Sequence, residues 1–146
     1  MKNIFFSILF LIFPFFGTSQ VVEVEFGNHL SFNCGLKTSY EEIIDQKNMI
    51  SKDLMISGKN KYVIDLDNKE ITLFYNNIFV GKEKIIEYET KGNLLYITLS
   101  DVELLTNKVI NSHIIVNTDK TDKNHPYFTF YFKSTIDNTT NGYVSL

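Results

Sequence analysis

The sequence contains no tryptophan and a single cysteine, and its 14 basic residues are all lysine. Without arginine the protein has no planar guanidinium to bind a carboxylate or phosphate through two parallel hydrogen bonds. One cysteine cannot form a disulfide within the chain, so the stability of the fold must come from packing. Because Cys34 alternates with Leu30 and Phe32, we expect it to be a small buried hydrophobic residue, with a disulfide to a second chain as the alternative.

Motifs for catalysis, metal binding and phosphate binding are also missing. The chain contains neither GxSxG nor SxxK, and its seven glycines form no GxGxxG or GxxxxGK motif. The three histidines show neither HExxH nor helical i, i+4 spacing, and the acidic stretch 65–70 lacks the glycine of a calcium loop. We therefore predict no catalytic residue, no metal site and no cofactor. A hydrolase without a recognisable motif remains an alternative.

The one long apolar run stands at the start of the chain, from Ile4 to Phe16, and follows the positive charge of Lys2. It is shorter than the roughly 20 residues that a membrane-spanning helix needs. Its length and the small-x-small triplet that follows, Gly17 to Ser19, are typical of a secretory signal peptide. The sequence thus predicts cleavage near Ser19-Gln20, export to the periplasm or the medium, and no stable membrane span afterwards.

Residues 20–146 are predicted to form a single domain, which is a typical length for one hydrophobic core. Loss of Lys2 leaves 13 lysines against 17 acidic residues, a net charge of −4. Nucleic acids require a basic surface, so this mildly acidic composition argues against nucleic acid as a partner. The partners that remain are a small apolar ligand or another protein.

Strict alternation of apolar and polar residues dominates the chain from residue 21 onward and predicts half-buried strands. In the first such segment, Val22, Val24 and Phe26 share one face. The spacing predicts eight to ten antiparallel strands in an up-and-down meander that closes into a barrel or a sandwich. The alternating segments are VVEVEF, HLSFNC, KYVIDL, EITLFY, KIIEYE, LLYITL, VINSHIIV, YFTFYFK and the short YVS.

Two kinds of local signal divide these strands. A capping box, Ser39 with Glu42, precedes apolar residues at helical spacing and predicts one short helix over about 40–51. The segment Asp67 to Lys69 predicts a hairpin turn, because Asn and Asp tolerate the left-handed backbone conformation. Gly92 is the expected residue of positive φ in a second hairpin.

Aromatic residues provide the candidate binding site. The face shared by Phe128, Phe130 and Phe132 is expected to point inward, where it would either line a cavity or fill the core. The predicted ligand-binding residues are Phe128, Phe130, Phe132, Tyr75, Tyr88 and Tyr96. The meander is similar to that of lipocalin-like barrels, although their G-x-W signature is absent because the chain has no tryptophan. The sequence therefore favours a non-catalytic domain that binds a small apolar ligand, with a protein-interaction or structural β-sandwich as the alternative.

Overall fold

The computed structural model describes residues 20–34, 40, 43, 49–55 and 58–146. The described chain contains ten strands, all paired antiparallel within one curled half-barrel sheet, as the alternation predicts. No helix in these residues is long and apolar enough to cross a membrane. The strands are β1 Val21–Phe26, β2 His29–Cys34, β3 Met49–Met55, β4 Asn60–Asp65, β5 Glu70–Tyr75, β6 Ile78–Lys91, β7 Leu94–Glu103, β8 Lys108–Asn117, β9 Phe128–Lys133 and β10 Thr140–Ser145.

The sheet is an up-and-down meander from β4 to β10, with β1 added beside β4 and with β2 and β3 added beside β10. Only Gly27 and Asn28 separate β1 from β2, although these two strands pair with opposite ends of the meander. The sheet must therefore curl until β1 at one end and β2 near the other end come close enough for this short link to join them. A hydrogen bond from the Leu146 amide to the Asn28 carbonyl oxygen, 3.2 Å long, supports the same junction.

The long strand β6 connects the two halves of the curled sheet. It pairs with β5 as far as Lys84 and with β7 from Ile85 onward, with a register shift between Ile85 and Glu87. A shift of this kind is a β-bulge, which bends a strand and increases its twist. The bend allows the inner faces of the two halves to pack against each other.

The core lies between these inner faces, and the alternation in the sequence correctly assigns its residues. Val24 and Ile64 from one half are completely buried, as is Phe128 from the other. The Phe128 ring lies 4.5 Å from the Tyr62 ring. The hydroxyl groups of Tyr62 and Tyr143 are 2.5 Å apart, and burial raises the pKa of both phenols, so both remain neutral. Side chains thus fill this part of the interior.

A smaller apolar cluster lies on the opposite face of β2, β9 and β10. It contains Phe32, Cys34, Ile43 and Val144, with Tyr131 packed against it. Cys34 is completely buried there, as expected for a small apolar residue at this position. Both faces of the sheet are therefore covered around β9 and β10.

Two local features differ from the predictions, and a third prediction lies mainly outside the described residues. The helix predicted over about 40–51 falls mainly on residues outside the described part of the chain, and β3 occupies the residues from Met49 onward. In the β4–β5 hairpin, the left-handed residue is Lys69, with a φ of 52°. The β5–β6 turn was not predicted; its two residues, Asn76 and Asn77, both have positive φ, at 48° and 64°. This combination is the one that the tight type I′ hairpin turn requires.

Candidate functional site

The candidate site lies where two hairpin turns meet at one end of the curled sheet. The turn after β7 comprises residues 104–107 and the turn after β9 comprises residues 134–139. Because β8 pairs with β9, with Ser112 opposite Phe132, the two turns lie side by side. Left-handed Asn107 and Asn138, with φ values of 53° and 59°, reverse the chain in these turns.

An apolar pocket of about 620 Å³ opens between the two turns. Its mouth carries Leu104 and Leu105, which are 90% and 85% exposed, and Ile136, which is 58% exposed. Its wall includes the rings of Phe130 and Phe132, whose centroids are 6.2 Å apart. The remaining lining residues are Asp101, Val102, Glu103, Ile110, Ser134, Asp137 and Asn141. A pocket of this size and character falls within the range that small-molecule sites occupy, roughly 300–1,000 Å³.

Glu103 joins the two turns beneath the mouth of the pocket. Its Oε2 atom accepts a hydrogen bond from the Thr106 hydroxyl at 2.6 Å and another from the Thr135 hydroxyl. Its Oε1 atom accepts one from the Thr135 amide at 3.0 Å. These bonds, led by that of Thr106, lower the pKa of the Glu103 carboxyl from 4.5 to about 2. The carboxylate is therefore ionised at neutral pH, and its hydrogen bonds fix the position of the β7–β8 turn relative to the β9–β10 turn.

We expect the Glu103→Gln variant to be less stable than the wild type at neutral pH. The carboxylate stabilises the folded state above its unfolded pKa of 4.5, and this contribution is lost as the pH falls toward the folded value of about 2. Urea unfolding midpoints across that range should therefore fall less steeply in Glu103→Gln than in the wild type. The matched control is Asp53→Asn, which makes the same charge change at an exposed position on β3. Equal pH dependence in Glu103→Gln and the wild type would contradict the role assigned to Glu103.

The six predicted ligand-binding residues occupy four different places. Phe130 and Phe132 line the pocket, whereas Phe128 lies on the same face of β9 but deep in the core. Tyr75 lies on β5, is 44% exposed and accepts a hydrogen bond from the Gly58 amide at 3.2 Å. Tyr88 and Tyr96 line a separate, more polar depression of about 240 Å³ together with Glu87, Glu89 and Thr98.

Sequence analysis missed the residues at the mouth of the pocket. Leu104 and Leu105 stand together in a segment that lies outside the predicted strands, and Ile136 occurs in a similar polar segment 31 residues later. Bulky apolar residues in turns are unusual, because turns favour Gly, Pro, Asn, Asp and Ser. This was a usable local signal, although it does not indicate that the two segments meet.

The three histidines lie on separate parts of the sheet, with His29 on β2, His113 on β8 and His125 in the loop before β9. His113 stacks on Tyr131, with ring centroids 4.9 Å apart, and burial lowers the pKa of its imidazole. The Nδ1 atom of His125 lies 2.6 Å from an Asp122 oxygen in the loop before β9. Within the described residues no group of three or more histidine, cysteine, aspartate or glutamate side chains could hold a metal ion.

One pair of carboxyl groups faces the interior from neighbouring strands. Burial raises the pKa of Glu83 on β6, and the negative charge of Asp101 on β7 adds to the increase. Asp101 is half-buried and continues the inward alternation of Ile97 and Leu99 toward Glu103. The pocket end of the interior is therefore acidic.

The comparisons with known proteins provide no relative. No protein-family model matches the chain, and neither a curated protein nor a solved structure shows significant similarity to it.

Proposed function

We propose that the protein is an exported, non-catalytic domain that holds a small apolar ligand in the pocket between the β7–β8 and β9–β10 turns. The observation that carries this proposal is the exposure of Leu104, Leu105 and Ile136 around an apolar pocket. Exposing three large apolar side chains to water is unfavourable unless a ligand or a partner covers them. The apolar run from Ile4 to Phe16 and the small-x-small triplet after it support the proposal of export.

The pocket differs from the interior cavity of a lipocalin-like barrel in its position. In this protein the inner faces are filled around Phe128, Tyr62 and Tyr143. The ligand would lie at the end of the half-barrel, with Phe130 and Phe132 beneath it and the two turns on either side. Seven of the twelve lining residues are apolar, so the attraction would come mainly from removing the ligand's apolar surface from water.

The proposal is tested by titrating the exported protein with N-phenyl-1-naphthylamine, a neutral dye that fluoresces in apolar surroundings. The measured mass of the purified protein should equal that of a chain that begins at Gln20. We expect one saturable site, and we expect Ile136→Gln to weaken dye binding about tenfold, since burying one such side chain contributes roughly 1.5–3 kcal/mol. The matched control is Ile78→Gln, which removes an equally large side chain, 69% exposed and outside the pocket. Absence of a saturable site, or equal loss in both variants, would contradict the proposal.

A protein-interaction module is the second candidate function. Ile78, Phe79 and Val80 begin β6 and are 69%, 57% and 62% exposed. Three consecutive exposed apolar residues form a surface that a protein partner could cover. A protein that binds no dye but associates through these residues, as judged by sedimentation of the wild type and of Ile78→Gln, would favour this candidate.

A further inference from the structure

The pocket combines an apolar wall with an excess of negative charge. Asp101, Glu103 and Asp137 line it, and among the described lining residues there is no lysine or histidine. We propose that the pocket selects cationic amphiphiles, with an alkyl chain between the two turns and an ammonium group at the mouth. This inference rests on the proposed function and specifies the chemical class of its ligand.

Glu103 contributes its charge without needing to contact the ligand. Both of its oxygens already accept hydrogen bonds from Thr106 or Thr135, so the carboxylate is held in one position. A fixed charge beside an apolar wall acts through a lower effective dielectric constant than a charge in open water, and its attraction for a cation is correspondingly stronger.

The other two carboxylates are the ones placed to approach the head group. Asp137 is exposed next to Ile136 at the mouth, and its Oδ1 atom accepts hydrogen bonds from the Thr139 amide at 3.0 Å and the Thr139 hydroxyl at 2.8 Å. Asp101 is half-buried on β7, and its Oδ1 atom accepts a hydrogen bond from the Val102 amide at 2.7 Å. Negative charge is therefore present both at the mouth and further inside.

An anionic amphiphile such as a fatty acid would meet repulsion at both positions. Glu83 on the neighbouring strand adds a further carboxyl group beside Asp101. Two lysines flank the lining residues in the sequence, Lys108 on β8 and Lys133 on β9, but both are exposed and neither lines the pocket. The balance of charge around the pocket therefore favours a cation over a neutral ligand, and a neutral ligand over an anion.

The test compares three probes with a ten-carbon chain as competitors for the dye at low salt: decyltrimethylammonium, 1-decanol and decanoate. We expect half of the dye to be displaced at a concentration of the cation about tenfold lower than the concentration of decanoate that is needed. The concentration of 1-decanol should lie between these two. The ratio should shrink as salt is added, because exposed charges are screened. It should also shrink in Asp101→Asn and Asp137→Asn, but not in Asp53→Asn, which makes the same charge change on β3.

The outcomes separate this inference from the proposed function. If 1-decanol displaces the dye while the cation and the anion compete equally, the charge selectivity is wrong and the apolar site stands. A cation preference that all three variants reduce equally would reflect the net charge of the chain and would also overturn the inference. A preference that all three leave unchanged would overturn it as well, because the carboxylates of the pocket would then not cause it. If the neutral probe does not bind at all, the proposed function itself is contradicted.

Discussion

Replacing Gly142 with alanine is expected to lower the free energy of unfolding by about 3 kcal/mol, a large fraction of the roughly 5–15 kcal/mol that stabilises a typical domain. Gly142 lies in β10 between Tyr131 of β9 and Phe32 of β2. A Cβ atom at this position would be 2.1 Å from the Phe130 carbonyl oxygen and 2.8 Å from the Phe32 ring. The carbonyl oxygen is part of the backbone of a paired strand, so it cannot move without disturbing the sheet. Urea denaturation followed by circular dichroism measures the loss.

Gly81→Ala is the matched control for this substitution. Gly81 also lies within a strand, opposite Leu73, but in the described part of the chain no atom beyond its two sequence neighbours lies within 4 Å of the position that its Cβ would take. Since alanine restricts the unfolded chain more than glycine does, this variant should be as stable as the wild type or slightly more stable. Equal unfolding midpoints for Gly142→Ala and Gly81→Ala would show that β2, β9 and β10 do not approach as closely as described.

The sequence predicts the strands well where one face is buried and the other faces water. The segments beginning at Val21 and Glu70 were predicted with the bounds that the structure shows, because each alternates over most of its length and is followed by turn residues. Strand β3 was not predicted; it pairs with β2 on one side and is the last strand of the sheet among the described residues. An edge strand is only weakly constrained by burial, so its pattern is less regular. The capping box at Ser39 then favoured a helix that would extend into this strand.

The candidate site was less predictable than the fold, because its parts are distant in sequence. Alternation places Phe130 and Phe132 on an inward face, but it does not show where the packed core ends and the pocket begins. That boundary depends on which residues of β4 and β10 lie opposite β9. The mouth requires Leu105 and Ile136 to meet, and this follows only from the pairing of β8 with β9.

Replacement with alanine is expected to affect mainly stability at Phe128 and mainly dye binding at Phe132, although the two residues share one face of β9. Phe128 is completely buried, with its ring 5.0 Å from that of Phe26 and 4.5 Å from that of Tyr62. Its removal should lower the free energy of unfolding by about 3–5 kcal/mol, because it leaves a cavity in the core. Phe132 lies outside the buried core on the pocket wall, so Phe132→Ala should cost about 1 kcal/mol of stability while weakening dye binding about tenfold.

Urea unfolding and the dye titration, performed on both variants, separate these two roles. In Phe128→Ala, the molecules that remain folded at low temperature should bind the dye as the wild type does, since the Phe128 ring is not part of the pocket wall. If this variant instead lost dye binding while keeping its stability, the ligand would occupy the interior of the half-barrel, as in a lipocalin-like barrel. Loss of stability without loss of binding in Phe132→Ala would likewise remove the pocket between the turns as the binding site.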